Sequence, residues 1–227
     1  MAIPDSLQAV KTRIAAACVA AGRPADAVHL LVVSKTFPGS AVREAFAAGA
    51  RAFGENYVQE GLAKVGELID LRGRIEWHLI GPLQSNKTKP VAEQFDWVHS
   101  VDRLKVAQRL SEQRPANLPP LNICLQVNIS AEASKSGLLP GEVAALARDV
   151  AALPRLKLRG LMAIPEPGPG APAQHQAMAR LFAALQAGGL ALDTLSLGMS
   201  ADLEDAVAAG STMVRVGSAI FGARHYE

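Results

Sequence analysis

Residues 29–53 read HLLVVSKTFPGSAVREAFAAGARAF, and this stretch decides the fold. It starts with a short apolar run at 29–33, continues with a helical pattern at 39–48 and returns to an apolar run at 51–53. Short apolar runs bounded by Gly, Pro or Ser are typical of buried strands, whereas longer amphipathic stretches are typical of helices. The stretch therefore predicts a strand–helix–strand unit with two parallel strands.

The same alternation continues along the chain. Further apolar runs occupy 75–80, 97–99, 121–127, 156–162, 194–197 and 212–216, and helical patterns fill the gaps near 56–70, 86–94, 103–113, 140–152, 173–188 and 202–209. Eight strands with helices between them predict a closed (β/α)8 barrel. An open doubly wound sheet, which needs fewer strands, is the alternative, because the runs at 51–53 and 97–99 are short.

Two further segments complete the expected architecture. Residues 6–21 predict an extra N-terminal helix, capped by Ser6, with Leu7, Val10, Ile14 and Cys18 on one face. Residues 165–172 contain four prolines and predict a mobile loop after the sixth strand rather than a linker. We therefore expect residues 1–227 to form one barrel domain.

Composition excludes several classes of protein. Of the 227 residues, 49% are hydrophobic and 19% are charged, which supplies a large core. A net charge of +2 favours neither nucleic acid nor a membrane surface as a partner. Cys18 and Cys124 stand far apart with no ligand spacing, so we expect two reduced thiols and no metal site. No long apolar segment or export signal is evident, so we expect a cytoplasmic protein.

Chemistry in such a barrel collects at the C-terminal ends of the strands. Lys35 follows the first strand directly. Desolvation there favours the neutral amine, which is the form that attacks an aldehyde. The alternative is a lysine whose head group reaches water.

Two loops at strand ends predict a phosphate site. Gly198 and Ser200 follow the seventh strand, and Gly217 and Ser218 follow the eighth, where barrels commonly bind phosphate. The alternative is that both serines are ordinary helix caps. Nearby acidic residues would repel a phosphate, so we expect them to face solvent; they are Asp202, Glu204 and Asp205.

A reactive lysine and a phosphate site at one barrel mouth indicate a phosphorylated aldehyde, either pyridoxal 5′-phosphate or a sugar phosphate. Arg215 is expected to point inward from the eighth strand. If it faces a pyridine nitrogen it can only donate a hydrogen bond, which leaves the ring neutral and a poor electron sink. The alternative is a barrel ion pair, for example with Glu55.

The sequence resembles the pyridoxal phosphate homeostasis protein family of bacteria (YggS type). The matching segments are VSKT at 33–36, FGENYVQE at 53–60, WHLIGPLQSNK at 77–87, VNI at 127–129, SKSG at 134–137, RGLM at 159–162, LSLGMS at 195–200 and MVRVG at 213–217. Together they cover essentially the whole chain.

The resemblance implies a monomeric barrel, related to the N-terminal domain of alanine racemase, that binds pyridoxal 5′-phosphate. Lys35 would form the internal aldimine, and Arg215 would face the pyridine nitrogen. Ser200, Gly217 and Ser218 would hold the phosphate, and Asn56, His78 and Met199 would line the ring. Lys135 matches a lysine that makes a second, transient contact with the cofactor, the alternative being a solvated loop lysine.

The resemblance also favours a non-catalytic carrier that buffers the cofactor and supplies it to apo-enzymes. A fold-type III enzyme such as a racemase is one alternative, and it needs a second acid–base group. Tyr57 and Tyr226 are the two tyrosines, and neither is evidently placed for that role. A lysine aldolase acting on a sugar phosphate is the other alternative, and it needs a carboxylate or tyrosine near Lys35.

Overall fold

The computed structural model describes residues 2–132 and 135–222. Within these residues, eight parallel strands form one closed barrel in chain order, β1 to β8. The strands are β1 His29–Val33, β2 Ala52–Glu55, β3 Glu76–Leu79, β4 Trp97–Val101, β5 Leu121–Val127, β6 Leu156–Ala163, β7 Thr194–Ser196 and β8 Met213–Val216.

The first and last strands close the barrel. Val32 of β1 is in register with Phe53 of β2 on one side and with Val216 of β8 on the other. The predicted barrel is therefore confirmed, and the open sheet is wrong. Both short apolar runs form strands, which extend further than predicted, to Glu55 and Val101.

Helices lie between successive strands. Within the described residues they are α1 Ile3–Ala20, α2 Gly39–Ala47, α3 Val58–Glu67, α4 Thr88–Gln94, α5 Leu104–Gln113, α6 Val143–Ala151, α7 Ala171–Ala187, α8 Leu203–Ala209 and α9 Ser218–Phe221, with 3-10 turns at Ile69–Leu71, Ser85–Lys87 and Pro140–Glu142. The proline-rich segment is a loop only as far as residue 170, because Ala171 and Pro172 belong to the first turn of α7.

The extra N-terminal helix is confirmed, and it packs against α2, α8 and α9. Leu7, Val10, Ile14 and Cys18 lie on its buried face as predicted. The cap prediction is wrong, because the helix begins three residues before Ser6 and Pro4 occupies its first turn. Proline suits that position, where the missing N–H has no helical partner.

The core fills the barrel interior and the layer between strands and helices. Phe53, Trp77 and Phe95 are fully buried, and burying a large apolar side chain stabilises the fold by roughly 1.5–3 kcal/mol. Cys18 and Cys124 are free and buried, as expected. Burial raises the pKa of Cys124 to about 12, which makes its thiol unreactive. No helix among the described residues combines the length and apolar character needed to cross a membrane.

Candidate cofactor site

A cavity of about 270 Å³ opens at the C-terminal ends of the strands. This volume is near the small end of the range for ligand pockets, which suits a single ring with a phosphate. Its wall combines two cationic side chains with hydroxyl, amide and apolar groups. The lining residues are Val33, Lys35, Phe37, Asn56, Ile80, Ile164, Met199, Ser200, Ala201, Arg215, Gly217 and Ser218. Seven of the predicted site residues therefore meet at one cavity: Lys35, Asn56, Met199, Ser200, Arg215, Gly217 and Ser218.

Lys35 lies in the turn that follows β1 and is half-buried at the cavity wall. The Phe37 amide donates to the Ser34 carbonyl at 3.1 Å, which closes a tight turn around Lys35. Because the turn starts directly at the end of a buried strand, it holds the base of the lysine side chain at the barrel mouth.

The loops after β7 and β8 converge at the wall of this cavity. The hydroxyl oxygens of Ser200 and Ser218 are 3.5 Å apart. Neither serine caps a helix, because Asp202 is the cap residue of α8 and Ser218 is the first residue of α9. The capping alternative is therefore wrong, and both hydroxyls remain at the cavity wall.

Two glycines allow the backbone of these loops to pack closely. Gly198 has a φ of 92°, a left-handed conformation that favours glycine, and a Cβ there would lie 2.5 Å from the Ala206 side chain. At Gly217 a Cβ would lie 2.8 Å from the Val33 carbonyl oxygen. The β8 loop can therefore lie against the end of β1, which brings the two serines and Lys35 to one cavity.

Arg215 points inward from β8 and is held by neutral acceptors. Its Nη1 donates to the Ser196 carbonyl at 2.7 Å and to the Ser196 hydroxyl at 2.8 Å, and its Nη2 donates to the Ala163 carbonyl at 2.9 Å. Among the described contacts these engage three of its five N–H groups. Burial lowers the pKa of Arg215 to about 10, so it is still charged at neutral pH.

The suggested ion pair between Arg215 and Glu55 is wrong. The Glu55 carboxylate accepts hydrogen bonds from Lys64 and from the hydroxyl of Ser34 instead. The sequence did not predict that the Glu55 carboxylate lies beside Ser34, the residue that precedes Lys35. Glu55 is fully buried and is not part of the described cavity wall.

His78 was expected to line the ring, and the structure corrects this expectation. It is fully buried inside the barrel, and its ring stacks on Trp97 with centroids 5.1 Å apart. Ile80 lines the cavity instead. Ile80 lies two residues further along the chain on the same side, about 6.6 Å nearer the mouth.

His78 belongs to a chain of polar side chains that ends at Arg215. Its Nδ1 lies 2.9 Å from Nε2 of His99, and Nδ1 of His99 lies 3.1 Å from the Ser196 hydroxyl. Arg215 can only donate to that hydroxyl, so the hydroxyl hydrogen is directed to His99, and the His99 Nε2 hydrogen to His78. This assignment leaves His78 with its hydrogen on Nε2, 3.6 Å from the Glu76 carboxylate.

These histidines are neutral. Burial lowers the pKa of His78 and lowers that of His99 further below the ordinary value. The neighbouring His78 imidazole lowers the pKa of Glu76, and burial of that carboxyl acts in the opposite direction.

The acidic residues near the serine loops do not all face solvent. Glu204 and Asp205 are exposed, as expected. Asp202 is half-buried, and it accepts hydrogen bonds from the Met199 amide at 2.7 Å and from His175 at 2.9 Å. Burial acts to raise the pKa of Asp202, but these hydrogen bonds outweigh it and lower the pKa. Asp202 therefore fixes the conformation of the Met199–Ser200 loop through its hydrogen bond with the Met199 amide.

A second cavity of about 250 Å³ adjoins the first and shares three wall residues with it, Asn56, Ile80 and Ile164. Lys135 lines this second cavity and pairs with Glu132. Asn56 does not cap α3, which begins after Tyr57, so it is available to both cavities. Tyr57 is 60% exposed, and Tyr226 lies outside the described residues.

Most of the apolar part of the wall, and one residue that supports the Ser200 loop, were not predicted from the sequence. Phe37 stacks on Phe221 of α9 with centroids 4.8 Å apart. Ile164 follows β6 and is 42% exposed, which is unusual for an isoleucine. Ile164 follows β6 directly and Phe37 lies in the loop after β1, and this position beyond the strand ends was the available signal. Arg13 of α1, also missed, donates to the Ser200 carbonyl at 2.7 Å.

Comparisons with known proteins agree with this geometry. Residues 6–225 match the family model of the alanine racemase N-terminal domain. The chain is 62% identical over 224 residues to the pyridoxal phosphate homeostasis protein of Pseudomonas aeruginosa, covering 99% of this chain and 96% of that protein. It is 55% identical over 229 residues to the protein of the same name from Escherichia coli, covering 99% and 98%.

Solved structures give the same result. PipY of Synechococcus elongatus with pyridoxal phosphate bound superposes with a TM-score of 0.84 at 38% identity, covering 97% of this chain and all of that one. Alanine racemase from Corynebacterium glutamicum shares the fold, with a TM-score of 0.70 at 19% identity, and this chain covers 62% of its length.

The barrel and its cavity define a class, the barrels of the alanine racemase N-terminal domain type. Within that class the two curated relatives cover nearly the whole chain at more than half identity. The chain belongs to the pyridoxal phosphate homeostasis protein family.

Proposed function

We propose that this protein binds pyridoxal 5′-phosphate at the first cavity and carries or buffers it without catalytic turnover, residues 1–227 acting as one binding domain. The observation that carries the proposal is one wall that holds a lysine, a buried arginine and two converging serine hydroxyls. These groups match an aldehyde, a pyridine nitrogen and a phosphate. The chemistry that the cofactor brings is its reactive aldehyde.

Lys35 is the residue proposed to hold the cofactor covalently. Its neutral amine would hold the cofactor through the aldehyde, the group with which such an amine condenses with loss of one water molecule. Asn56 and Met199 line the same wall and would contact the ring. His78 would not contact the ring directly. It would act on the ring only through the hydrogen bonds that lead by way of His99 and Ser196 to Arg215.

Ser200, Gly217 and Ser218 are proposed to hold the phosphate. The hydroxyls donate hydrogen bonds to the anion, and Gly217 lets the backbone approach it. Arg215 adds positive charge to the wall, which attracts a phosphate from solution.

Arg215 is proposed to donate a hydrogen bond to the pyridine nitrogen. Because it is charged and can only donate, it keeps that nitrogen unprotonated, and the ring withdraws few electrons from a bound amine. This is the physical reason for preferring a carrier to an enzyme of the racemase type.

The wall also supports the carrier over the two enzyme alternatives. In the described wall of the first cavity, the ionisable side chains are Lys35 and Arg215. A racemase needs a second acid–base group on the other face of the ring. An aldolase needs a proton-transfer group beside the lysine, and the nearby Glu55 is buried and bonded to Lys64 and Ser34.

Recipients and location are part of the same proposal. A monomer in the cytoplasm that releases the cofactor to apo-enzymes fits the family name and the near-neutral net charge of +2. Lys135 would offer the cofactor a second contact in the adjoining cavity on its way in or out.

The test is the near-visible absorbance of the purified protein with added pyridoxal 5′-phosphate, for wild type and Lys35→Ala. We expect a yellow wild type that bleaches on borohydride reduction and a colourless variant. A wild type that remains colourless would refute cofactor binding and favour the sugar-phosphate alternative. Loss of optical rotation in an L-amino acid incubated with the yellow protein would refute the non-catalytic role.

A further inference from the structure

The turn that carries Lys35 is held by a buried ionic cluster. We propose that Lys64, together with Glu55 and Glu60, positions Lys35 for its reaction with the cofactor. This inference rests on the proposed function above. Glu55 and Glu60 belong to the FGENYVQE segment, and neither lines the described cavity wall.

Lys64 is at the centre of the cluster. It projects from α3, is 5% exposed, and its ammonium donates to the Ser34 carbonyl at 2.6 Å. It also donates to Glu55 Oε1 and to Glu60 Oε1, each at 2.8 Å. An ammonium has three N–H groups, so these three bonds use its full capacity and fix its orientation.

The cluster holds the residues on both sides of Lys35. On one side, the Ser34 carbonyl accepts from Lys64 and the Ser34 hydroxyl donates to Glu55 at 2.6 Å. On the other side, the Thr36 amide donates to Glu60. One ammonium and two carboxylates therefore fix the backbone immediately before and after the lysine.

The turn needs such support because of its backbone conformation. Lys35 and Thr36 are its two central residues, and Thr36 has a φ of 69°. A positive φ at the third position of a turn is the requirement of type II, where glycine is preferred. A β-branched residue is an outlier there, and such a conformation persists only where the surroundings enforce it.

The ionic groups are costly to bury, which argues against a role in stability alone. Glu55 is fully buried, and burial raises its pKa although Lys64 and Ser34 act in the opposite direction. Buried ion pairs rarely exceed apolar packing in stabilising a fold. The cluster is therefore better explained by the geometry that it imposes on the turn around Lys35.

The test compares Glu60→Ala with Glu60→Gln. The Glu60 side chain is 25% exposed, so both variants should fold. Glutamine keeps an oxygen that accepts from Thr36 and Lys64, whereas alanine removes it. Glu93→Ala is the matched control, because it breaks an exposed i,i+4 pair with Lys89 on α4.

Two quantities are measured after cofactor-free protein is mixed with pyridoxal 5′-phosphate. One is the rate constant for growth of the near-visible band, and the other is the share of borohydride-trapped label on Lys35, located by peptide mass mapping. Glu60→Ala removes the hydrogen bonds from Thr36 and Lys64 to this carboxylate. We expect it to lower the rate constant at least about tenfold, the effect of losing one hydrogen bond to a charged group, and to lower the labelled share. Glu60→Gln and Glu93→Ala should resemble wild type.

A double variant tests Lys64 itself. Lys64→Met combined with Glu55→Gln removes the ammonium without leaving the Glu55 carboxylate buried and unpaired. It should fold, as monitored by thermal unfolding without cofactor, and should also form the band at least about tenfold more slowly.

Wild-type rates and labelling in both Glu60→Ala and the double variant would overturn the positioning role, as would equal losses in Glu60→Ala and Glu60→Gln. The proposed function fails separately, if wild type gives neither band nor label on Lys35.

Discussion

Arg215 donates two hydrogen bonds to Ser196, one to its carbonyl oxygen at 2.7 Å and one to its hydroxyl at 2.8 Å. Ser196 is the last residue of β7 and is not itself one of the residues of the described cavity wall. Ser196 fixes the guanidinium. Because its hydroxyl accepts from Arg215, it donates its own hydrogen to His99, and His99 in turn donates to His78. The Arg215 guanidinium at the cavity wall is thereby connected to two histidines that are fully buried inside the barrel.

Ser196→Ala should destabilise the protein. The substitution removes an acceptor from Arg215 and the donor to His99, and leaving a buried polar group unsatisfied costs about 1–3 kcal/mol. We also expect several-fold weaker binding of pyridoxal 5′-phosphate, because Arg215 gains freedom. Ser100→Ala is the control, since the buried hydroxyl of Ser100 has no hydrogen-bond partner among the described residues. Urea unfolding and cofactor titration measure both effects, and equal results for the two variants would contradict the prediction.

Stability should fall as the pH drops below about 6.5, the ordinary histidine value. The pKa values of His78 and His99 are lowered by burial, so the unfolded chain takes up protons that the folded protein does not. Their contribution is present above the unfolded value and is lost as the pH falls through it. Between pH 7.5 and 5.5 we expect the free energy of unfolding to fall by at most about 1.4 kcal/mol for each histidine, with the larger share from His99, whose pKa is lowered further.

His99→Gln is the variant that checks this origin. Urea unfolding at both pH values should show a smaller loss for His99→Gln than for wild type, because one of the two titrating groups is gone. Equal losses in the two proteins would assign the pH dependence to other groups.

The barrel itself could be predicted from the sequence because each strand is a short apolar run between helical patterns. The ends of strands also identified Lys35, Arg215 and the two serine loops, since the C-terminal end of every strand faces one mouth. Chain order and periodicity are sufficient for this level of description.

Depth and side-chain pairing could not be predicted. His78 lies only two residues before Ile80, which lines the cavity, and period-two alternation places the two side chains on the same face of the strand. Asp202 was expected in solvent, but it accepts from His175 of α7, a contact 27 residues away in the chain. The Lys64 cluster likewise joins residues of β2 and α3 to the turn after β1, and only the folded structure brings them together.

The two serine hydroxyls should matter for the phosphate and not for the aldehyde. Ser200→Ala and Ser218→Ala should each weaken binding of pyridoxal 5′-phosphate about tenfold, the effect of one lost hydrogen bond to a charged group. Binding of pyridoxal, which lacks the phosphate, should stay the same and serves as the control ligand. Absorbance titration with both ligands measures this difference. Equal weakening for pyridoxal would place the serines elsewhere around the cofactor.

Arg13 should support the phosphate loop from outside the barrel. Its guanidinium donates to the Ser200 carbonyl and to both carboxylate oxygens of Glu204, so α1 is attached to the loop that carries one of the two hydroxyls. Arg13→Ala should weaken binding of pyridoxal 5′-phosphate several-fold, because Ser200 loses its support, and should leave pyridoxal binding unchanged. The affinity of wild type should also fall more steeply with added salt than that of the variant, since salt screens the exposed pair with Glu204.

Arg43→Ala is the matched control for Arg13→Ala. Arg43 makes the same two-bond contact with a carboxylate, that of Asp70, on the surface of the barrel and away from the described cavity wall. Each variant loses one exposed pair, and such pairs contribute little to stability. A loss of affinity confined to Arg13→Ala would therefore report the attachment of α1 to Ser200. Equal affinities in the two variants would show that the loop holds its conformation through Asp202 alone.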